Sequence, residues 1–170
     1  MRALLLALLL VAGCASPRVQ EPDDDDDAAN DDDDSAGDDD DSTAAAVCVD
    51  DSLEDNDDFA SARTIAPGAY NNLTACPFDD DWYAVTIPAR FRVTVQAVFQ
   101  HGDGDIDIAL RNESGEILDT SSSVTDNEQV GPLILFVEQV LYVEVDLLGF
   151  GGDPPGNTYG IAILTEPLPN

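Results

Sequence analysis

The sequence predicts an all-β protein, an antiparallel β-sandwich that is preceded by a disordered acidic linker. Two observations predict the sandwich. Apolar and polar residues alternate over many short segments after residue 46, and turn residues separate these segments at regular spacing. A third observation predicts the linker, because residues 19–46 are dominated by aspartate runs that have nothing to bury. Residues 47–170 are therefore expected to form the folded domain.

Eight segments show the two-residue period of half-buried strands. The clearest places Phe91, Val93 and Val95 on one face, with Arg92 and Thr94 on the other. The predicted strands are residues 70–74, 82–87, 91–99, 106–111, 117–121, 129–137, 140–146 and 159–164. We also expect a short helix at residues 57–64, hairpin turns at residues 88–89 and 112–115, and a loop over residues 149–157.

The N-terminus has the features of a lipoprotein signal peptide. Met1-Arg2 precedes an apolar run of about nine residues, too short for a spanning helix, which needs about 20. Residues 10–14, Leu-Val-Ala-Gly-Cys, resemble a bacterial lipobox, in which the cysteine thiol receives a diacylglyceryl group. We expect residues 1–13 to be removed and Cys14 to anchor the chain to the bacterial membrane, on the outer membrane or cell surface. The alternative is an ordinary signal peptide with an incidental cysteine, which would also place the chain outside the cytoplasm.

Residues 14–46, from the lipidated cysteine onward, are expected to form a disordered tether. Aspartate runs at residues 23–27, 31–34 and 38–41, with Glu21, place 14 of the chain's 36 acidic residues here. Like charges extend such a chain, and about 28 stretched residues reach roughly 90–100 Å. We favour a spacer over a calcium store, because successive aspartates on a mobile chain do not preorganise a coordination shell.

Cys48 and Cys76 remain once Cys14 is assigned to the lipid anchor. An even remainder in an exported protein predicts a disulfide. The bridge would close a loop of about 28 residues and stabilise the fold by about 3 kcal/mol on a loop-entropy estimate. The alternative is a pair of buried free thiols.

Charge and motifs exclude several functions. The chain has 36 acidic and 6 basic residues, a formal charge of −30, which repels phosphates and favours cations, so no nucleic-acid partner is expected.

Asp105 and Asp107 alternate with Ile106 and Ile108, which predicts acids on a sheet face rather than in a helix–loop–helix calcium loop. The sequence contains no His-Glu-x-x-His, no Gly-x-Ser-x-Gly and no glycine-rich phosphate loop, so we expect no enzyme.

Seven short motifs in order resemble the bacterial pre-peptidase C-terminal domain. They include Leu-Glu-Asp-Asn-Asp-Asp-Phe-Ala at residues 53–60, Pro-Gly-Ala-Tyr at 67–70 and Asp-Asp-Asp-Trp-Tyr at 79–83; the others lie at residues 105–110, 114–115, 141–145 and 157–161. The resemblance covers about residues 50–166. It implies a jelly-roll-like β-sandwich of a kind usually appended to secreted proteases and other exported enzymes.

The resemblance also implies a calcium site. In calcium-binding members of that family, an N-terminal Glu-x-Asn-Asp segment meets the Asp-x-Asp that precedes an aromatic strand. The matching positions here are Glu54, Asn56, Asp57, Asp79 and Asp81. The sequence has Ser52 and Asp55 where the family often has an acid and a proline, and Asp50, Asp51 or Asp80 would supply the ligand lost at Ser52. The alternative is a set of solvated loop acids.

Together these features predict a non-enzymatic cell-surface lipoprotein. Its calcium-stabilised domain would be a binding or accessory module for extracellular protein or polysaccharide. Phe150 lies between glycines in a predicted loop and is a candidate contact to that ligand. The alternative is a structural or assembly component of the cell envelope with no specific ligand.

Overall fold

The computed structural model describes residues 47–150, 152 and 154–169 of the 170-residue chain. The predicted signal peptide, Cys14 and the acidic tether lie outside these residues. Among the described residues, a 3₁₀ turn (His101–Asp103) and nine strands are present: β1 (Arg63–Ile65), β2 (Gly68–Ala75), β3 (Asp81–Ile87), β4 (Phe91–Val98), β5 (Gly104–Arg111), β6 (Ile117–Ser121), β7 (Glu128–Leu135), β8 (Gln139–Phe150) and β9 (Asn157–Pro167). No helix in this part of the chain has the length and apolarity needed to cross a bilayer.

The strands form two sheets with a shared core between them. One sheet has the order β1-β3-β8-β5-β6 and the other β2-β9-β4-β7. Neighbouring strands are antiparallel except β1 and β3, which run parallel. Strands β2 to β9 have the two-Greek-key order of a jelly roll, in which successive strands change sheet except for the β5–β6 pair. The predicted jelly-roll-like β-sandwich is therefore confirmed.

Alternating apolar residues build the core, as the sequence period predicts. In β5, Ile106, Ile108 and Leu110 are buried, while Asp105 and Asp107, which alternate with them, are half-buried on the other face. The largest fully buried side chains are Tyr83, Tyr159, Ile87, Ile106, Ile108, Leu110, Leu141, Ile161, Ile163, Val85, Val93 and Val95. Burial of one such aliphatic side chain contributes about 1.5–3 kcal/mol, so this layer is the main source of stability.

The eight predicted strands are all present, but the predicted helix at residues 57–64 is wrong. Asp58 Oδ1 accepts hydrogen bonds from the backbone N–H groups of Ala60 and Ser61, both at 2.8 Å, which closes a turn instead of a helix. The chain then forms β1 from Arg63, a strand that the sequence period does not predict. Its three residues pair with Tyr83–Val85 of β3, so tertiary pairing overrides a weak local preference.

Two predicted connections also require correction. Residues 88–89 do not form a hairpin, because β3 and β4 belong to different sheets and this turn carries the chain between them. The predicted loop at 149–157 starts later, because Gly149 pairs with Asp105 and Phe150 with Gly104 at the end of β8. The turn at residues 112–115 is confirmed as the β5–β6 hairpin, where Gly115 has φ 78°.

Candidate metal site

Three carboxylates meet where the segment before β1 crosses the start of β3. Asp51 and Glu54 come from that segment, and Asp81 is the first residue of β3. One carboxylate oxygen from each lies within 4.8 Å of those of the other two. Asp81 is 1% exposed, so its carboxyl group is almost completely removed from water. This group of three residues is called the acidic cluster.

Asn56 is buried beside the acidic cluster and is 0% exposed. Its backbone N–H donates to Glu54 Oε2 at 3.0 Å, and its backbone oxygen accepts from the N–H of Trp82 at 2.9 Å. Its side-chain Nδ2 donates to the Trp82 carbonyl at 3.2 Å. Within the described residues, Asn56 Oδ1 has no hydrogen-bond partner. Buried polar atoms are usually satisfied, so an oxygen in this position points to a missing donor or cation.

Two core tyrosines hold Asp81 from the inner side. Tyr159 on β9 donates its hydroxyl to Asp81 Oδ2 at 2.5 Å, and the hydroxyls of Tyr83 and Tyr159 are 2.6 Å apart. Because Tyr159 donates to the carboxylate, Tyr83 must donate to Tyr159. Burial, followed by the charge of Asp81, raises the pKa of both phenols, so they remain protonated donors. The sequence pattern places Tyr159 in a predicted strand and does not assign it to the metal site, although a buried tyrosine hydroxyl generally needs a partner.

The cluster carries more negative charge than its surroundings can neutralise. Burial is the main cause that raises the pKa of Asp81, to about 9, and the Glu54 carboxyl raises it further. Burial also raises the pKa of Glu54, and the charges of Asp79 and Asp51 add to the rise. A site of this kind binds either a proton or a cation, because an isolated buried carboxylate is costly. Hard divalent cations prefer such an oxygen set.

The structure places the predicted ligands in two groups. Glu54, Asn56 and Asp81 come together, and Asp51 joins them, one of the acids that the sequence offered as a replacement for Ser52. Asp57 is exposed and lies outside the acidic cluster. Asp79 also lies outside it, with a pKa raised first by burial and then by the charge of Asp57.

The predicted disulfide between Cys48 and Cys76 is present. It joins the segment before β1 to the residue that follows β2. Asp51 makes a second attachment to β2, because its Oδ2 accepts the backbone N–H of Thr74 at 2.8 Å. Asp51 and Glu54 therefore lie on a segment that the disulfide and the Asp51–Thr74 hydrogen bond attach to the sandwich.

Phe150 is the last residue of β8, and its side chain is not among those that the structure describes. The prediction that it contacts a ligand therefore stays a prediction. A polar groove of about 290 Å³ lies elsewhere, on the outer face of the five-stranded sheet. Its lining includes Asp107, Arg111, Thr120, Ser121, Glu144 and Asp146.

Arg111 organises one side of this groove. Its Nε donates to Glu144 Oε2 at 2.7 Å, and its guanidinium carbon lies 5.5 Å from the centre of the Trp82 ring. Phe59 packs edge-on against Trp82 and stacks on Tyr142, with ring centres 5.8 and 4.1 Å apart. Trp82 is only 9% exposed as a result, so it contributes to packing rather than to an open aromatic platform.

No protein-family model and no curated protein sequence match the chain. Among solved structures, the chain is similar to the pre-peptidase C-terminal domain of a collagenase from Bacillus anthracis. The two share 13% sequence identity with a TM-score of 0.43, over 61% of this chain and 94% of that domain.

Proposed function

We propose that Asp51, Glu54, Asn56 and Asp81 hold one calcium ion that stabilises the β-sandwich. The observation that carries this proposal is the acidic cluster beside Asn56, whose backbone N–H donates to Glu54 and whose buried Oδ1 lacks a partner in the described part of the chain. Calcium takes six to eight oxygen ligands at about 2.3–2.6 Å and accepts carboxylates in one- or two-oxygen contact together with amide oxygens. The donor set therefore fits calcium.

The ion would stabilise the fold by joining two parts of the chain that are distant in sequence. Asp51, Glu54 and Asn56 precede β1, whereas Asp81 begins β3 and is held in place by Tyr159. A cation that binds only when these parts are assembled stabilises the folded state by mass action, by about 2.7 kcal/mol at a concentration 100 times its Kd.

Thermal unfolding in calcium and in a chelator tests the metal proposal. Calcium is expected to raise the unfolding midpoint of the wild-type protein, and Asp81→Asn is expected to abolish the rise while the β-sheet circular dichroism is kept. Glu138→Gln is the matched control, because Glu138 is an exposed acid in the loop between β7 and β8. An unchanged wild-type midpoint, or an equal rise in Asp81→Asn, would contradict the proposal.

We further propose that this domain is the non-enzymatic part of a cell-surface lipoprotein that acts as a binding or accessory module. The lipid anchor rests on the Leu-Val-Ala-Gly-Cys segment that ends at Cys14. Labelled palmitate should be incorporated by the wild-type chain and not by Cys14→Ala. Equal labelling of the two chains would refute the anchor.

The ligand class that we propose is extracellular protein or polysaccharide. The groove on the outer sheet face supports this choice, because its carboxylates, hydroxyls and one guanidinium suit sugar hydroxyls or polar peptide groups. An array of glycans and matrix proteins, probed with wild type, Phe150→Ala and Thr120→Ala, tests it. Binding that Thr120→Ala weakens would locate the ligand in the groove, and binding that Phe150→Ala weakens would locate it at the end of β8. A complete absence of binding would favour the structural envelope role.

A further inference from the structure

The segment of residues 48–56, here called the N-terminal strap, carries most of the proposed calcium ligands. Asp51, Glu54 and Asn56 lie on it, and only Asp81 belongs to the sheet. The strap lies outside the strands, so strand pairing does not hold it in place. The geometry of the metal site therefore depends on how the strap is attached to the sandwich.

The attachments of the first half of the strap converge on the end of β2. Its first residue is joined to Cys76 by the disulfide, and Asp50 Oδ1 lies 3.4 Å from Cys76 Sγ. Three residues after Cys48, Asp51 accepts the backbone N–H of Thr74 at 2.8 Å. Asp51 also accepts the N–H of Leu53 at 2.7 Å, so this ligand is oriented by two hydrogen bonds close to the disulfide.

The far end of the strap has a different support. Leu53 packs against the hydrophobic core, and Asn56 exchanges backbone and side-chain hydrogen bonds with Trp82. These contacts would remain if the disulfide were opened. The disulfide therefore restrains mainly the stretch that contains Asp51. Without the disulfide, the Asp51 carboxylate would lose conformational entropy each time it bound an ion.

We propose that the Cys48–Cys76 disulfide positions Asp51 for cation binding, so that disulfide formation and calcium binding are thermodynamically linked. The inference rests on the proposed calcium site. Opening the disulfide weakens calcium binding by about tenfold or more, a coupling of ordinary size for linked sites. Linkage is reciprocal, so bound calcium makes the disulfide harder to reduce by the same factor.

The reaction used to test this linkage is thiol–disulfide exchange with a dithiol such as dithiothreitol. One thiolate of the reductant attacks a sulfur of the Cys48–Cys76 bond, which breaks and leaves a mixed disulfide. The second thiolate of the reductant then closes a ring and releases the protein sulfur. Two electrons pass to the protein, two protons complete its thiols, and the reductant leaves as a cyclic disulfide.

Calorimetric titration of the full chain with calcium measures the first half of the linkage. The wild-type protein is compared in its oxidised and reduced forms, together with the double variant Cys48→Ser/Cys76→Ser, which needs no reductant. Circular dichroism checks that each form is folded. We expect weaker binding in the reduced and doubly substituted proteins. Equal calcium affinity in all three folded proteins would overturn the inference. A reduced chain that is unfolded in calcium would also overturn it, because the disulfide would then stabilise the whole fold rather than the metal site.

Equilibration in dithiothreitol redox buffers, with and without calcium, measures the second half. The fraction of free thiols is read by alkylation and intact mass. Calcium should shift the wild-type equilibrium toward the disulfide by the factor found in the titration. Asp81→Asn is the matched control, because it keeps both cysteines and the strap but lacks one ligand. Equal protection in Asp81→Asn would overturn the inference. Oxidised wild-type protein that binds no calcium would instead refute the proposed function itself.

Discussion

Replacement of Asp107 by asparagine is expected to stabilise the domain at neutral pH. Asp107 lies on the outer face of β5 directly opposite Asp146 of β8, and like charges in this relation are destabilising. Burial is the first cause that raises the pKa of Asp107, from 3.8 to about 6, and the charges of Asp105, Glu128 and Asp146 follow. The folded protein therefore holds this proton more tightly than the unfolded chain does.

The sign of the pH dependence follows from this difference. Well below about pH 4 the group is protonated in both states and contributes nothing to the pH dependence. As the pH rises from about 4 to 6, the unfolded chain releases its proton first, and the folded state loses stability. A pKa difference of about two units corresponds to about 3 kcal/mol in the free energy of unfolding. Because water reaches this half-buried carboxyl, we expect only about 1–2 kcal/mol.

Urea unfolding in chelator at about pH 7.5 and about pH 4 measures the effect. Asp107→Asn should raise the free energy of unfolding by about 1–2 kcal/mol at the higher pH and by much less at the lower. Glu138→Gln, which removes the same charge from an exposed loop residue, should give a smaller change. A variant no more stable than wild type at about pH 7.5, or an equal gain at about pH 4, would refute the electrostatic reasoning.

Three further substitutions test the core and its polar contacts by urea unfolding. Tyr159→Phe removes the donor to Asp81 and should cost about 1–3 kcal/mol, and an unchanged stability would show that the hydrogen bond is not needed. Arg111→Met leaves Glu144 without its ion-pair partner and should cost about 1 kcal/mol, so a gain in stability would count against that pairing. Leu141→Ala should cost about 2–5 kcal/mol, and a cost below about 1 kcal/mol would place the residue outside a packed core.

Much of the fold is predictable because burial of one strand face requires a regular sequence period. The alternation in residues 91–99 and 141–145 reappears as buried β4 and β8 positions. β1 escaped prediction because only three residues pair and the neighbouring aspartates also suit a helix N-terminus. The crossing at residues 88–89 could not be distinguished from a hairpin, because the local turn residues do not specify which sheet the next strand joins.

The site could be predicted in part for a similar reason. The resemblance singles out Glu54 and Asp81, which the structure brings together with Asp51, and the cysteine count predicts the disulfide if the chain is exported. Asp51 could not be chosen over its acidic neighbours, because an aspartate run gives no information about which side chain turns inward. Tyr159 could not be assigned to the site, because its partner lies 78 residues away and only the folded sheet brings the two together.

Diffraction from a crystal grown with calcium, recorded at a wavelength with measurable calcium anomalous scattering, tests the metal site most directly. We expect one anomalous peak about 2.3–2.6 Å from carboxylate oxygens of Asp51, Glu54 and Asp81, with Asn56 Oδ1 completing the set. Asp81→Asn crystals grown in the same way should lack the peak. Wild-type crystals with no peak at this position at saturating calcium would contradict the proposed site.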